Sequence, residues 1–172
     1  MDAYFLPPEG RIFGCFPGAE DRPGQRRMSE LVHDTVLEAG DLFTAWRNGG
    51  SDSATRPDAL IQAIEAGTGT GKSLGYLVPA LASNRRPVMV ATRTKQLQRQ
   101  LLEEDFPRAM GILGRDLRAV VAKGRANYLC RTAWEQQSGG LREMDRRDYD
   151  LWLALPRWAE ETRTGDREEL GR

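Results

Sequence analysis

The sequence is short of the residues that most often carry covalent or metal chemistry. It has two cysteines, Cys15 and Cys130, far apart and in no Cys-x-x-Cys pair. That excludes a disulfide framework and points to a cytoplasmic setting. It has one histidine, His33, so His-based triads and His-rich metal sites are excluded within this chain. No apolar run approaches the roughly 20 residues of a membrane-spanning helix. The start, Met1-Asp2-Ala3-Tyr4, is acidic and lacks a signal-peptide pattern. Net charge is missing too, with 25 Lys/Arg against 25 Asp/Glu, but the balance hides an asymmetry. Between Arg85 and Arg131 there are 11 basic and 4 acidic residues, a local excess of +7. Such a middle suits a polyanion, although a merely solvated basic surface would give the same count.

What is present is enough for one domain with a substantial core: 172 residues, 40% hydrophobic and 29% charged. Residues 1–16 are rich in Pro, Gly and aromatics and read as an irregular arm with a short strand near Ile12-Phe13. Asp21 to Gln25 reads as a turn. A helix over about Arg26–Glu38 follows, with Met28, Leu31, Val32 and Val36 on one face and Gly40 as its stop. Asn48 to Ser53 is a flexible loop by composition. Three short apolar runs read as buried strands: Ala59–Ile64, Pro87–Ala91 and Arg118–Ala122. From Leu141 to Thr162 the chain reads as helical, with Tyr149, Trp152, Leu153 and Leu155 as a buried stripe and Pro156 interrupting it. Asp166 and Glu169 read as the capping box of one more helix.

The chain is organised around Ala66-Gly67-Thr68-Gly69-Thr70-Gly71-Lys72-Ser73. A Gly-rich loop between a strand and the apolar helix Leu74–Leu81 is the context of a phosphate-binding P-loop. Glycines let backbone N–H groups turn inward around an anion, and the helix N-terminus adds unpaired donors and partial positive charge. Lys72 would reach the β- and γ-phosphates of ATP, and the Ser73 hydroxyl would hold Mg²⁺. Ala66 stands where the strict pattern has Gly. The plain alternative is a Gly-rich turn that binds nothing.

Other motifs follow in a particular order. Arg22-Pro23-Gly24-Gln25 precedes an amphipathic helix, and a glutamine amide can donate to and accept from an adenine edge at once. This stretch resembles the Q motif of superfamily 2 helicases. Thr92-Arg93-Thr94-Lys95 opens a helix that Thr92 or Thr94 would cap, and its hydroxyls and cations suit phosphates. It is similar to motif Ia, which in those helicases grips single-stranded DNA. Lys123-Gly124-Arg125-Ala126-Asn127-Tyr128-Leu129-Cys130 resembles the iron–sulfur helicases of the DinG and XPD type, where such a cysteine is the first of four ligands of a 4Fe–4S cluster.

The resemblance implies an α/β fold: a RecA-like P-loop NTPase domain with a parallel sheet, apparently incomplete, followed by the start of a helical iron–sulfur insertion. It divides the chain into an arm (1–21), a partial motor domain (22–124) and a partial insertion (125–172). The implied cofactors are ATP and Mg²⁺, with the cluster only if further cysteines follow, because a cluster needs four thiolates and Cys15 matches nothing. The implied partner is single-stranded DNA, and no membrane is involved. The implied site is Gln25 and Ala66–Ser73 for ATP, Thr92, Arg93, Thr94 and Lys95 for DNA, Ser73 for Mg²⁺ and Cys130 for the cluster.

The match runs from about Arg22 to Leu170 and corresponds to the first part of the family's length. After Ser73 no apolar run ends in Asp-Glu, the pair that would complete ATP hydrolysis. Three readings stand: the N-terminal part of an ATP-dependent DNA helicase that binds ATP without turning it over alone, a non-hydrolysing ATP- or DNA-binding module, and a small P-loop kinase.

Overall fold

The computed structural model describes residues 2–5, 9–48, 59–85, 87–137 and 146–171. The chain divides into two compact units, Met1–Val120 and Val121–Arg172. In the first, α1 (Asp2–Phe5) and α2 (Arg11–Cys15) replace the expected irregular arm and strand. Burial explains the difference. Phe5 and Ile12 join Leu77, Val78, Ala109, Ile112 and Leu113 in the core. Arg11 fastens α2 by donating to the carbonyls of Leu113 at 2.8 Å and Ile112 at 3.4 Å, the last acceptors of a helix that has no further turn to use them.

The helix α3 spans Pro23–Asn48, longer at both ends than the sequence pattern suggests. Proline is well suited to a first turn, where its missing N–H has no intrahelical partner anyway. Gly40 does not stop the helix. A glycine inside a helix costs only about 1 kcal/mol, and here the space is used: a Cβ at Gly40 would lie 2.4 Å from Arg85 Nε. That passage lets Arg85 reach Asp41 at 2.6 Å. Of the expected apolar face only Met28 is buried, and the tighter contacts are polar, through Gln25 and Ser29. His33 is half-buried beside Asp34. Residues 49–53 of the expected loop lie outside the described residues.

The helix α4 (Lys72–Ala82) supplies Leu77, Val78 and Pro79 to the core. Next come α5 (Lys95–Gln100), a π-helical turn over Leu101–Asp105 and α6 (Phe106–Leu113), joined through residues that keep right-handed helical angles. Gly114 ends this run in the left-handed region (φ 63°), with its N–H and that of Arg115 both donating to the Met110 carbonyl.

The expected parallel sheet is not there. Among the described residues no strand forms, and the three apolar runs at 59–64, 87–91 and 118–122 belong to no helix or strand. Ile61, Met89 and Val120 are 85%, 92% and 91% exposed. An apolar run becomes a strand only when neighbouring chains take its N–H and C=O groups. Here the core is closed by helices α2, α4 and α6 instead, so the RecA-like α/β reading is corrected to a helical assembly.

In the second unit a 3₁₀ turn (Arg125–Asn127) leads to α7 (Arg131–Gln137), α8 (Arg146–Glu161) and a final 3₁₀ turn (Arg167–Gly171). The segment before α7 meets the one after α8 in an isolated antiparallel bridge, Tyr128 with Asp166. The Leu129 N–H donates to the Gly165 carbonyl at 2.8 Å. Lys123 pairs with Asp166 and, at 3.1 Å, with Glu168. Glu169 does not close a capping box. Its carboxylate accepts from the Thr162 and Thr164 hydroxyls at 2.8 and 2.5 Å. The α8 helix continues through Pro156, and Leu153 is 63% exposed rather than part of a buried stripe. The side chains of Tyr149 and Trp152 lie outside the described residues. Among the described residues no helix is long and apolar enough to cross a membrane.

Candidate nucleotide-binding site

The Gly-rich loop enters α4 through Gly71, which occupies the helix N-cap position with φ 74° and ψ 34° and provides no side-chain cap. Gly69 is also left-handed, at φ 78°. The first turn of α4 therefore keeps backbone donors that no capping side chain takes, the usual setting for an anion. Lys72 is the first residue of that helix. Its Nζ folds back onto the loop and donates to the carbonyls of Gly67 at 2.6 Å and Ala66 at 3.0 Å. Thr70 Oγ1 donates to the Gly67 carbonyl at 2.9 Å, and Thr68 is exposed.

Two residues of α3 and its approach close on the same loop. Gln25 is 6% exposed and donates from Nε2 to the Gly71 carbonyl at 2.8 Å. Arg22 donates to the Gly69 carbonyl at 2.9 Å. The carbonyls of Ala66, Gly67, Gly69 and Gly71 are thus each held by a side-chain donor. The fit around Gly71 is close, since a Cβ there would lie 2.2 Å from Gln25 Nε2. Behind this contact Ser29 Oγ bridges the carbonyls of Gln25 and Gly75 at 2.9 and 3.0 Å and ties α3 to α4.

A cavity of about 360 Å³ opens beside the loop. Ile12, Phe16 and Leu74 form apolar wall, and Gln25, Gly71 and Ser73 face the same space. Asp105 and Arg108 also line it. The phenol of Tyr76, one turn along α4 from Ser73, is held above its ordinary pKa. Burial is the main cause, a hydrogen bond with Ser73 works against it, and the charge of Asp105 adds to it. The donors, the lysine at the helix start and the hydroxyl of Ser73 fit the triphosphate and Mg²⁺ that a P-loop takes.

The second cluster lies at the start of α5. Thr94 is the N-cap residue, and its Oγ1 accepts from the Leu97 N–H at 3.2 Å, while Thr92 Oγ1 donates to the Thr94 carbonyl at 3.2 Å. Arg93, Thr94 and Lys95 are exposed. Cys130 is an exposed free thiol in the other unit. Arg22, Ser29, Asp105 and Arg108 were given no role by the sequence. Arg22 stands within the Arg-Pro-Gly-Gln run, which was a usable signal; the other three carry none.

Sequence comparisons bear on this arrangement. Over 159 residues the chain is 30% identical to the ATP-dependent DNA helicase YoaA of Escherichia coli (strain K12), covering 92% of this chain and 22% of that protein. It is 35% identical over 168 residues to the 3'-5' exonuclease DinG of Bacillus subtilis (strain 168), covering 94% and 16%. The chain belongs to the DinG/YoaA helicase family. The ATP-dependent helicase DinG of Mycobacterium tuberculosis (strain ATCC 25618 / H37Rv) shares 35% identity over 127 residues, covering 62% and 19%. The chain thus spans between 16% and 22% of the length of these DinG and YoaA relatives. No family model and no solved structure matches it.

An iron–sulfur cluster does not fit the DinG-type residues present. Four thiolates are needed and the chain has two cysteines, one in each unit. Among the described residues no group of three or more His, Cys, Asp or Glu side chains could hold a metal ion.

Proposed function

We propose that Ala66–Ser73 bind the phosphates of Mg-ATP, and that this stretch is the nucleotide-binding part of a DNA helicase of the DinG type. One observation carries the reading: Gln25, buried and upstream, is locked onto Gly71 at an uncapped helix start whose first residue is a lysine. Binding would exchange the bonds from Lys72 to Ala66 and Gly67 for bonds to phosphate oxygens, which are stronger because both partners are charged. Ser73, at the second position of α4, would turn its hydroxyl to Mg²⁺. The Gln25 amide has two hydrogens and two acceptor lone pairs. One contact to Gly71 leaves capacity for an adenine edge.

In this reading residues 22–124 carry the nucleotide and DNA contacts and 125–172 begin a separate segment. Thr92, Arg93, Thr94 and Lys95 hold the phosphates of single-stranded DNA, and translocation along that strand belongs to the whole enzyme. The 172-residue chain binds ATP and hydrolyses it negligibly, because no apolar run after Ser73 ends in the carboxylate pair that hydrolysis needs.

Calorimetric titration with Mg-ATP, run beside a phosphate-release assay with single-stranded DNA, tests the proposal. Binding with a release rate at background is expected. DNA-stimulated release by the pure chain would overturn the no-turnover part, and absence of binding would overturn the site.

A further inference from the structure

Asp105 has no part in the reading above, yet it is the least satisfied polar group beside the site. It closes the π-helical turn Leu101–Asp105, and such turns recur at functional positions. The residue is 5% exposed, and its Oδ2 is buried with no hydrogen-bond partner. Arg108 Nη1 stands 3.6 Å from Oδ1, close enough to balance charge and too far for a hydrogen bond. A buried carboxylate with unmet acceptors is costly unless something supplies a donor.

The cavity shows where that donor would come from. Asp105 lines it together with Gln25, Gly71 and Ser73, and Ile12, Phe16 and Leu74 give the same cavity apolar wall. Apolar wall suits the flat face of a base, and a carboxylate accepts only from O–H or N–H groups. Its χ2 torsion is broad and two-fold, so either oxygen can turn toward the space.

We propose that Asp105 accepts a hydrogen bond from the nucleoside half of the bound nucleotide, from a ribose hydroxyl or an exocyclic amine, and so selects which nucleotide the cavity holds. The inference rests on the nucleotide reading above. A ligand that places a carbonyl there would set lone pairs against lone pairs and be rejected.

The test measures dissociation constants of the full chain for ATP, 2'-deoxy-ATP, 3'-deoxy-ATP and purine riboside triphosphate, which lacks the amine. The same series is run on Asp105→Asn, with Asp105→Ser as a second neutral variant should the first not fold. Wild type is expected to bind one analogue about tenfold more weakly than ATP, the scale of a hydrogen bond to a charged group. The analogue that fails tells hydroxyl from amine. In the variant the gap should shrink to about twofold. Equal affinities across the series in wild type overturn the inference, as does discrimination that survives unchanged in the variants. If folded wild type binds none of the four, the nucleotide reading itself fails, and the inference fails with it.

Discussion

Replacing Gly71 by alanine separates two costs that coincide at this position. The first is backbone. At φ 74° an L-residue sits in the left-handed region, at about 1–2 kcal/mol. The second is contact. The new Cβ would lie 2.2 Å from Gln25 Nε2 and 3.0 Å from its Cδ, so the amide must leave. Leaving breaks the 2.8 Å bond to the Gly71 carbonyl and strands a polar group that is 6% exposed, at a further cost of about 1–3 kcal/mol. Gly69 is the control, because its φ is 78° and a Cβ there meets nothing within 4 Å. Gly69→Ala should therefore cost about 1–2 kcal/mol and Gly71→Ala about 2–5. In a Gln25→Ala background the contact disappears, and Gly71→Ala should cost no more than Gly69→Ala. Urea unfolding followed by far-UV circular dichroism on these variants measures all the terms. Equal costs at 69 and 71, or a cost at 71 that ignores residue 25, would refute the packing of α3 against the loop.

Other outcomes follow from the same structure. Lys123 is held above its ordinary pKa chiefly by its hydrogen bond to Asp166, and Asp166 is held below its own chiefly by the same bond. The Asp166 share of stability is present above its ordinary 3.8 and is lost as pH falls through the lowered value; the Lys123 share is present below 10.5 and is lost as pH rises through the raised one. Hydrogen-exchange protection of the Leu129 amide should thus be flat between about pH 5 and 9 after correction for intrinsic rates, fall in acid, and be lower throughout in Lys123→Met. Thr94→Ala removes the α5 cap and should cost about 1 kcal/mol, with single-stranded DNA binding weakened in the same variant; unchanged DNA affinity would argue against this corner. Met89→Lys, at a side chain 92% exposed, should shift stability by less than about 0.5 kcal/mol and lower binding of a hydrophobic dye; a larger loss would mean Met89 is packed.

The parts legible in the sequence are those set by local chemistry. Glycines at 69 and 71 with Lys72 after them dictate a left-handed turn into a helix, and Thr94 followed by Lys95 and Leu97 dictates a cap. Strands are different. The runs around Ile61, Met89 and Val120 have strand composition, but a strand is a relation to another segment, and composition does not state whether that segment is there. Gly40 misled for a similar reason: whether a glycine ends a helix or makes room for Arg85 depends on a contact 45 positions downstream. Nothing in Asp105-Phe106-Pro107 announces a π turn or an unpaired carboxylate.

The most direct test of the central claim is residue-resolved amide exchange with and without Mg-ATP, on wild type and Lys72→Ala. Nucleotide at the loop should slow exchange across Gly67–Ser73 and at the start of α4 in wild type, with the effect lost or displaced to at least tenfold higher nucleotide in the variant. Protection that appears elsewhere, or that appears equally in Lys72→Ala, would contradict a phosphate site at this loop.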